Sequence, residues 1–454
     1  MAELIVDEVQ SIATDESKTK ASGSFFDIFR IRDFRLLWIG ETISLLGDQF
    51  YLIALPWLAL QLTGSALALG TVMAVAGIPR ALFMLVGGAF TDRFSPRTIM
   101  LGSNLLRAIL VGVLTVLVLT GAMQFWMLYV FALIFGLVDA FFFPATSTIV
   151  PRLVTRDRLE AANALIQGTA HLSLFVGPML AGVLIALFGA GADAAAAESV
   201  PDITGIGLAF GFDTLTFLFS IIALWLMRPQ KNKAVTDGQP EAESSVIASI
   251  KAGLRYAWND PVLRLLLVAI AAIDFLFAGT VTVGIPVLAD TRFPEGAAAF
   301  GIIFAMFGGG ALVGTILAGV LPRPPARHFG RMIFGLIGIE GLLLALLGFA
   351  PTTALAAILV LTMGMSNGYI NILAITWLQK RTDEQMLGRM MSLVMFASLG
   401  LQPLSNALAG VVVEIDIVAM FVVAGVLLAG ISWISAISPT ARTIGVEQAE
   451  IVGQ

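Results

Sequence analysis

Twelve long apolar stretches divide this chain of 454 residues. Each is about as long as the roughly 20 residues that an α-helix needs to cross a bilayer. In lipid, a spanning segment must satisfy its own backbone polar groups, and a helix does so. The pattern predicts an all-α membrane protein with twelve transmembrane helices. These lie at about 37–62, 67–91, 98–120, 125–149, 160–189, 206–227, 262–289, 297–321, 329–350, 353–379, 387–412 and 416–438.

Composition supports a lipid environment and narrows the chemistry. The chain is 58% hydrophobic and 13% charged, against about 45–50% and 25% in soluble proteins. It has no cysteine, which excludes disulfides, thiol catalysis and Cys-ligated metals. The two histidines, His171 and His328, lie in opposite halves of the sequence. We therefore expect no metal, no cofactor and no nucleic-acid partner, and the sequence has no Walker-type phosphate loop that would indicate ATP as the energy source.

The basic residues predict the orientation. With the N-terminus inside, 22 of the 26 Lys and Arg fall in inner segments, and a single one, Arg292, falls in an outer loop. Loops that stay in the cytoplasm are rich in Lys and Arg. We therefore expect a multi-pass protein of the inner (plasma) membrane with both termini in the cytoplasm.

The longest polar interruption separates six spans from six. We expect a cytoplasmic tail with an interfacial helix (1–36), a six-helix bundle (37–227), a linker with an amphipathic helix (228–260), a second bundle (261–438) and a cytoplasmic tail (439–454). The two bundles are related in sequence: Gly136 and Asp139 of span 4 correspond to Gly364 and Asn367 of span 10. Parallel repeats of this kind are a transporter architecture.

The segment GGAFTDRFSPR (87–97) follows span 2. It resembles the signature loop of the major facilitator superfamily, matching it at Gly88, Asp92, Arg93 and Arg97. The resemblance implies two pseudo-symmetric six-helix bundles that rock about a central site. It also implies that this loop is a cytoplasmic gate, with Asp92 contacting the N-terminus of span 11, where the helix dipole favours an anion.

Span 5 carries SLFVGPMLAG (173–182). This resembles the antiporter motif of the same superfamily at Gly177, Pro178 and Gly182, which implies a close-packed hinge between the bundles and export. Further stretches, such as ISLLGDQFYLIALPWLALQLTGS (43–65) and FFFPATSTIVPRLV (141–154), are similar to a drug-efflux branch that includes macrolide exporters and the enterobactin exporter.

Seven charged residues fall well inside the predicted spans. A charge at a helix centre costs about 2.5–3.5 kcal/mol on insertion scales, so we expect them to face the protein interior or a water-filled cavity. They are Asp48, Arg80, Arg107, Asp139, Asp213, Asp274 and Glu340.

The resemblance divides these charges by role. It implies that spans 1, 4, 7 and 10 line the central cavity, so proton coupling and substrate binding are expected at Asp48, Asp139, Asp274, Asn367 and Asn371. The charges on spans 2, 3, 6 and 9 are then expected to be partners or structural: Arg80, Arg107, Asp213 and Glu340. Either arginine could instead neutralise Asp48 or Asp139, and His171 is a weaker candidate for proton transfer.

Together these features predict a monomeric secondary transporter, not an enzyme. We expect it to export hydrophobic or amphipathic small molecules in exchange for protons. The alternatives are a siderophore or lysophospholipid transporter, proton-coupled uptake, and a transport-inactive receptor or scaffold.

Overall fold

The computed structural model describes residues 25–155, 158–189, 203–228, 254–322 and 324–444, and these residues form helices without any strand. Twelve helices are long and apolar enough to cross a membrane, as the sequence predicts. They are α1 (Arg32–Thr63), α2 (Ala66–Arg93), α3 (Pro96–Leu119), α4 (Phe125–Leu153), α5 (Leu159–Gly189), α6 (Thr204–Leu226), α7 (Pro261–Arg292), α8 (Ala297–Val320), α9 (Ala326–Leu347), α10 (Thr353–Arg381), α11a and α11b (Glu384–Leu399 and Gln402–Ile415) and α12 (Ile417–Ile437).

The N-terminal segment differs from the prediction. Instead of a separate interfacial helix up to residue 36, Phe25–Arg30 form a short 3₁₀ turn and α1 begins at Arg32. The extended backbone of Ile31 separates the two elements. In the linker predicted at 228–260, which was expected to contain an amphipathic helix, residues 254–259 are helical, and residues 229–253 lie outside the described part of the chain.

Two membrane faces define the architecture. We call the face where α1 begins, α6 ends and α7 begins the linker face, and the opposite one the far face. Helices α1–α6 form the N-terminal half and α7–α12 the C-terminal half. The halves meet chiefly where α2 packs on α11b and α5 packs on α8.

Glycine contacts confirm that the halves repeat the same packing. Gly136 of α4 abuts the Ala76 carbonyl of α2, and Gly364 of α10 abuts the Phe307 carbonyl of α8 in the same way. Small residues allow such close approach of helix backbones in membranes. The correspondence of span 4 with span 10 therefore has a structural basis.

Helix α7 is interrupted near its middle. The Gly279 N–H donates to Ser405 Oγ of α11b at 2.8 Å instead of continuing the α-helical ladder, and Ser405 Oγ in turn donates to the Phe275 carbonyl. A π-helical turn follows at Thr280–Gly284. A side chain that inserts between a carbonyl and its i+4 amide is a recognised cause of irregular helices.

Helix α11 forms a single membrane span, as predicted, but it is divided within that span. Its first part ends at Leu399, and Pro403 lies in the first turn of the second. Proline has no backbone N–H, and its ring clashes with the carbonyl four residues earlier, so an α-helix cannot pass it undisturbed.

A salt bridge joins α7 to α10 at the linker face. Asp260 caps α7 by accepting from the Val262 and Leu263 amides, and it pairs with Arg381 at 2.8 Å. Burial acts to raise the pKa of Asp260, but the hydrogen bonds from Arg381 and the two amides outweigh burial and hold the pKa below its usual value. The stability from this contact is present above the ordinary aspartate pKa and is lost as the pH falls through the lowered one.

We therefore expect Asp260→Ala to destabilise the protein by about 1 kcal/mol at pH 7, as for other lost N-caps. In a chain of this size this amounts to a fall of about 1–2 °C in the unfolding midpoint. The difference from the wild type should be constant above the ordinary aspartate pKa of about 4 and should shrink only as the pH falls below it toward the lowered native pKa. Thermal unfolding in detergent from pH 8 down to about pH 2 measures it, and a difference that stays constant to the acid end of that range would contradict the assignment.

Candidate functional site

Polar contacts join the two halves at the far face. Gln61 at the end of α1 donates to Asp290 near the end of α7, with Nε2 and Oδ1 3.1 Å apart. Glu414 near the end of α11b accepts from the Leu67 amide at 3.1 Å and from Ser65 Oγ at 3.2 Å. A carboxylate of one half thus caps the first turn of α2 in the other half, where the helix dipole favours negative charge.

Close backbone contacts reinforce this closure. In the predicted hinge motif, Gly182 lies against Gly301 of α8, and the Pro178 carbonyl also faces Gly301. Gly177 packs on Gln49 of α1, within the N-terminal half. Gly70 of α2 lies against Gly410 of α11b in the corresponding position of the second repeat. The hinge residues therefore lie at or beside an interface between the halves.

Glu414→Ala should weaken the far-face closure. A helix cap of this kind contributes about 1 kcal/mol, so the far-face-open population should rise roughly fivefold. Because the chain has no cysteine, Ala66→Cys, at the buried start of α2, can report the opening through its rate of reaction with a membrane-impermeant maleimide. Asp416→Ala is the control, since Asp416 caps α12 within its own half; equal labelling rates in the two variants would argue against a closing role for Glu414.

A cavity of about 810 Å³ lies between the halves toward the linker face. We call it the vestibule. Its lining has no charged side chain among the described residues and mixes hydroxyl and amide groups with aromatic and sulfur-containing ones. The residues are Ala81, Phe143, Pro144, Thr146, Ser147, Val150, Asn163, Ile166, Gln167, Ser392, Met395, Phe396, Leu399 and Gly400.

An ion-pair network occupies the interior of the N-terminal half. The Asp139 carboxylate of α4 binds Arg107 of α3 through Oδ1 and Arg80 of α2 through Oδ2, the second contact at 3.1 Å. The Arg107 guanidinium also lies 4.0 Å from the centre of the Phe142 ring, a favourable cation–π geometry. Arg107 is 2% exposed. Arg80 and Arg107 were both possible partners of Asp139, and both bind it.

Three more carboxylates lie near this network. The charge of Arg107 acts on Asp48 and Glu41 of α1, and Asp213 of α6 interacts electrostatically with Asp48. Asp213 Oδ1 abuts α1 at Gly47, next to Asp48, and accepts from Thr216 Oγ1 at 3.3 Å. Within the described chain, Asp213 Oδ2 and Glu41 Oε1 have no hydrogen-bond partner.

The remaining predicted polar residues lie in the C-terminal half. Asp274, Glu340, Asn367 and Asn371 line a separate cavity of about 280 Å³ between α7, α9, α10 and α11a. We call it the α9–α10 cavity. The structure thus joins Glu340, expected to be structural, with three residues expected on the substrate path, and places all four apart from Asp48 and Asp139.

The predicted gate loop is described in part. Asp92 and Arg93 are the last residues of α2 and Gly88 lies one turn earlier, but their side chains lie outside the described part of the structure. Arg97 donates to the carbonyls of Leu224 and Trp225 at 2.7 and 2.9 Å. Arg97 thereby stabilises the end of α6 in its own half, as cations do at helix C-termini.

Sequence reasoning missed several residues that the structure brings into these sites. Glu41 lies seven residues before Asp48, a spacing that places both on one face of α1, so the signal was present. Gln61, Asp290 and Glu414 lie at the ends of spans, where polar residues are ordinary. They differ from other polar residues at span ends only because α1 packs on α7 and α2 packs on α11b, which brings them into contact with the other half.

The fold agrees with that of known proteins. A sequence model of the Major Facilitator Superfamily matches residues 37–402. The chain belongs to this superfamily. The members of this superfamily are transporters rather than enzymes, and the fold is a transporter fold. The chain is therefore a multi-pass membrane transporter for a small-molecule substrate.

Its relatives within the superfamily carry efflux names. The chain is 27% identical over 371 residues to the multidrug efflux pump Tap of Mycolicibacterium fortuitum, covering 80% of this chain and 85% of the pump. It is 23% identical over 362 residues to macrolide efflux protein A of Streptococcus pyogenes, covering 79% and 84%. It is 26% identical over 362 residues to the enterobactin exporter EntS of Shigella boydii, covering 78% and 79%.

Solved structures share the fold. A bacterial homologue of the iron transporter ferroportin in the inward-facing state superposes with a TM-score of 0.67 at 15% identity, covering 90% of this chain and 99% of that one. The nucleoside transporter NupG gives a TM-score of 0.64 at 12% identity, covering 89% and 97%. At these identities the likeness concerns the fold alone.

Proposed function

We propose that this transporter exports uncharged or weakly charged amphipathic molecules of drug size in exchange for protons. The observation that carries the proposal is the vestibule. Its volume of about 810 Å³ lies within the roughly 300–1,000 Å³ of pockets that hold drug-sized ligands. Its apolar surfaces and scattered hydroxyl and amide groups suit a ligand with both characters. The efflux names of the relatives support the same substrate class.

Proton coupling is assigned to the carboxylates beside the Arg107 network. Asp48, Glu41, Asp139 and Asp213 outnumber the two arginines of this interior cluster. Uncompensated negative charge in a poorly hydrated interior is costly, and binding a proton relieves that cost. Asp139 is paired with two guanidinium groups, so its proposed role is to orient the network. Asp48 is the carboxylate that we propose gains and loses the proton.

The proposed gate consists of two alternative contacts between α2 and α11, one at each membrane face. In the state described above, the far-face end of α2 is capped by Glu414 and the vestibule lies toward the linker face. The bias of Lys and Arg supports placing the linker face in the cytoplasm, and on that basis we propose that this state is an inward-facing monomer. In the outward-facing state, Asp92 and Arg93 at the other end of α2 are proposed to latch onto the start of α11a.

Reconstituted vesicles test the substrate and the direction. With a pH gradient acidic on the far-face side, we expect a labelled macrolide to accumulate on that side beyond the level reached in protein-free vesicles, and this excess to disappear when the gradient is collapsed. Accumulation on the linker-face side would indicate uptake instead. Movement of enterobactin or a lysophospholipid without the macrolide would change the substrate class, and binding without flux would indicate a receptor.

A further inference from the structure

We infer that the α9–α10 cavity is a binding site for a small monovalent cation, held by the carboxylates of Asp274 and Glu340. The cation is an inorganic ion or a small ammonium group. This inference concerns a different cavity from the vestibule and does not depend on the proposed export of amphipathic molecules.

Glu340 provides the first argument. Its side chain lines the cavity and is 3% exposed, yet its Oε1 has no hydrogen-bond partner among the described residues. Ser366 lies beside this carboxylate, but Ser366 Oγ is also without a partner in hydrogen-bonding geometry. A buried carboxylate without a partner is strongly unfavourable, so an unpartnered oxygen at a cavity wall indicates a group that the cavity receives.

The chemistry of the wall indicates the sign of that group. The polar groups of the lining are two carboxylates, two amides, one hydroxyl and one indole N–H, from Asp274, Glu340, Asn367, Asn371, Ser398 and Trp377. No Lys, Arg or His belongs to the described lining. Two carboxylates repel an anion and attract a cation, and oxygen ligands select hard cations over soft transition metals.

The N-terminal half contains a cationic side chain that has no counterpart in the C-terminal half. There, Asp139 is neutralised by Arg80, four residues after Ala76 in α2. Because Ala76 corresponds to Phe307 in the repeat, the position of Arg80 corresponds to Ala311. The Arg80–Asp139 pair thus corresponds to Ala311 and Asn367, and neither charge is repeated in the C-terminal half. Asp274 and Glu340 therefore have no arginine from this position to neutralise them.

Size and ligand number favour a small monovalent cation. At about 280 Å³ the cavity falls just below the range that accommodates drug-sized ligands. Divalent ions in proteins are usually held by several charged oxygens, and no cluster of three or more acidic or histidine residues suited to a metal occurs in the described part of the chain.

Equilibrium binding of ²²Na⁺ to the purified protein in nanodiscs at pH 8 tests the inference, with choline chloride keeping the ionic strength constant. We expect saturable binding that Glu340→Gln and Asp274→Asn each weaken about tenfold or more. Asp416→Asn is the matched control, because it removes a carboxylate of the same half that lies outside the cavity and keeps a side chain able to cap α12; it should bind as the wild type does. Binding of ²²Na⁺ to the wild type is measured first, so that the inference is tested even if a variant folds poorly.

Butylammonium chloride distinguishes the two kinds of cation. If it displaces ²²Na⁺ or raises the unfolding temperature in a Glu340-dependent way, the site accepts an ammonium group. If only sodium binds, the site is specific for an inorganic ion. The inference is overturned if neither cation binds saturably to the wild type, or if neither Glu340→Gln nor Asp274→Asn weakens binding.

Discussion

Arg107→Met is expected to destabilise the protein by about 3–5 kcal/mol, the typical cost of removing one member of a buried ion pair. The guanidinium binds Asp139 and stacks on Phe142, so the variant loses both contacts. It also leaves Asp139 with Arg80 as its remaining partner in the network. We expect a much lower yield of folded protein and a large fall in the unfolding midpoint in detergent.

A double variant separates charge from packing. Arg107→Met with Asp139→Asn removes the carboxylate that has lost its buried partner and keeps only the partly exposed Arg80, so the stability should recover by more than half of the loss. Asp139→Asn alone should also destabilise, because it leaves two cations facing each other. If the double variant is less stable than Arg107→Met, the ion pair is not what Arg107 contributes.

Gly182→Leu is expected to prevent closure of the far face. A side chain at this position would meet the Ala297 carbonyl and the Gly301 backbone of α8, and backbone atoms cannot turn aside as a flexible side chain does. Overpacking costs about 1–3 kcal/mol, which would reduce the ratio of closed to open protein roughly five- to 150-fold. Transport should fall accordingly, because the cycle requires both closures.

The same helix offers a matched control. Gly168 of α5 faces open space, with no atom within 4 Å of an added Cβ, so Gly168→Leu should transport as the wild type does. Maleimide labelling of Ala66→Cys should accelerate in Gly182→Leu and stay slow in Gly168→Leu. Slow labelling in both variants would show that the α5–α8 contact does not control access from the far face.

Much of the fold was predictable because its causes are local. Each span is a continuous apolar run, and lipid forces such a run to be a helix. The breaks inside spans differ. The division of α11 can be predicted from the sequence, because Pro403 lies within the span. The interruption of α7 arises from Ser405, which is distant along the chain and inserts only after α11b has packed on α7.

The site was less predictable because it depends on how the helices are rotated and paired. The sequence identifies Arg80, Arg107 and Asp139 as intramembrane charges but does not say that one carboxylate binds both arginines. It identifies Asp274 and Glu340 but not that they share a cavity. The conformational state cannot be read from it either, since one sequence encodes the contacts of every state in the cycle.

Proton movement coupled to transport tests the central claim most directly. Proteoliposomes with a pH-sensitive dye inside should change internal pH when a macrolide gradient is imposed across wild-type protein. Asp48→Asn should reduce this proton flux to the level of empty liposomes while the protein still binds the macrolide. Macrolide transport by the wild type without any proton movement, or unchanged proton flux in Asp48→Asn, would contradict the account.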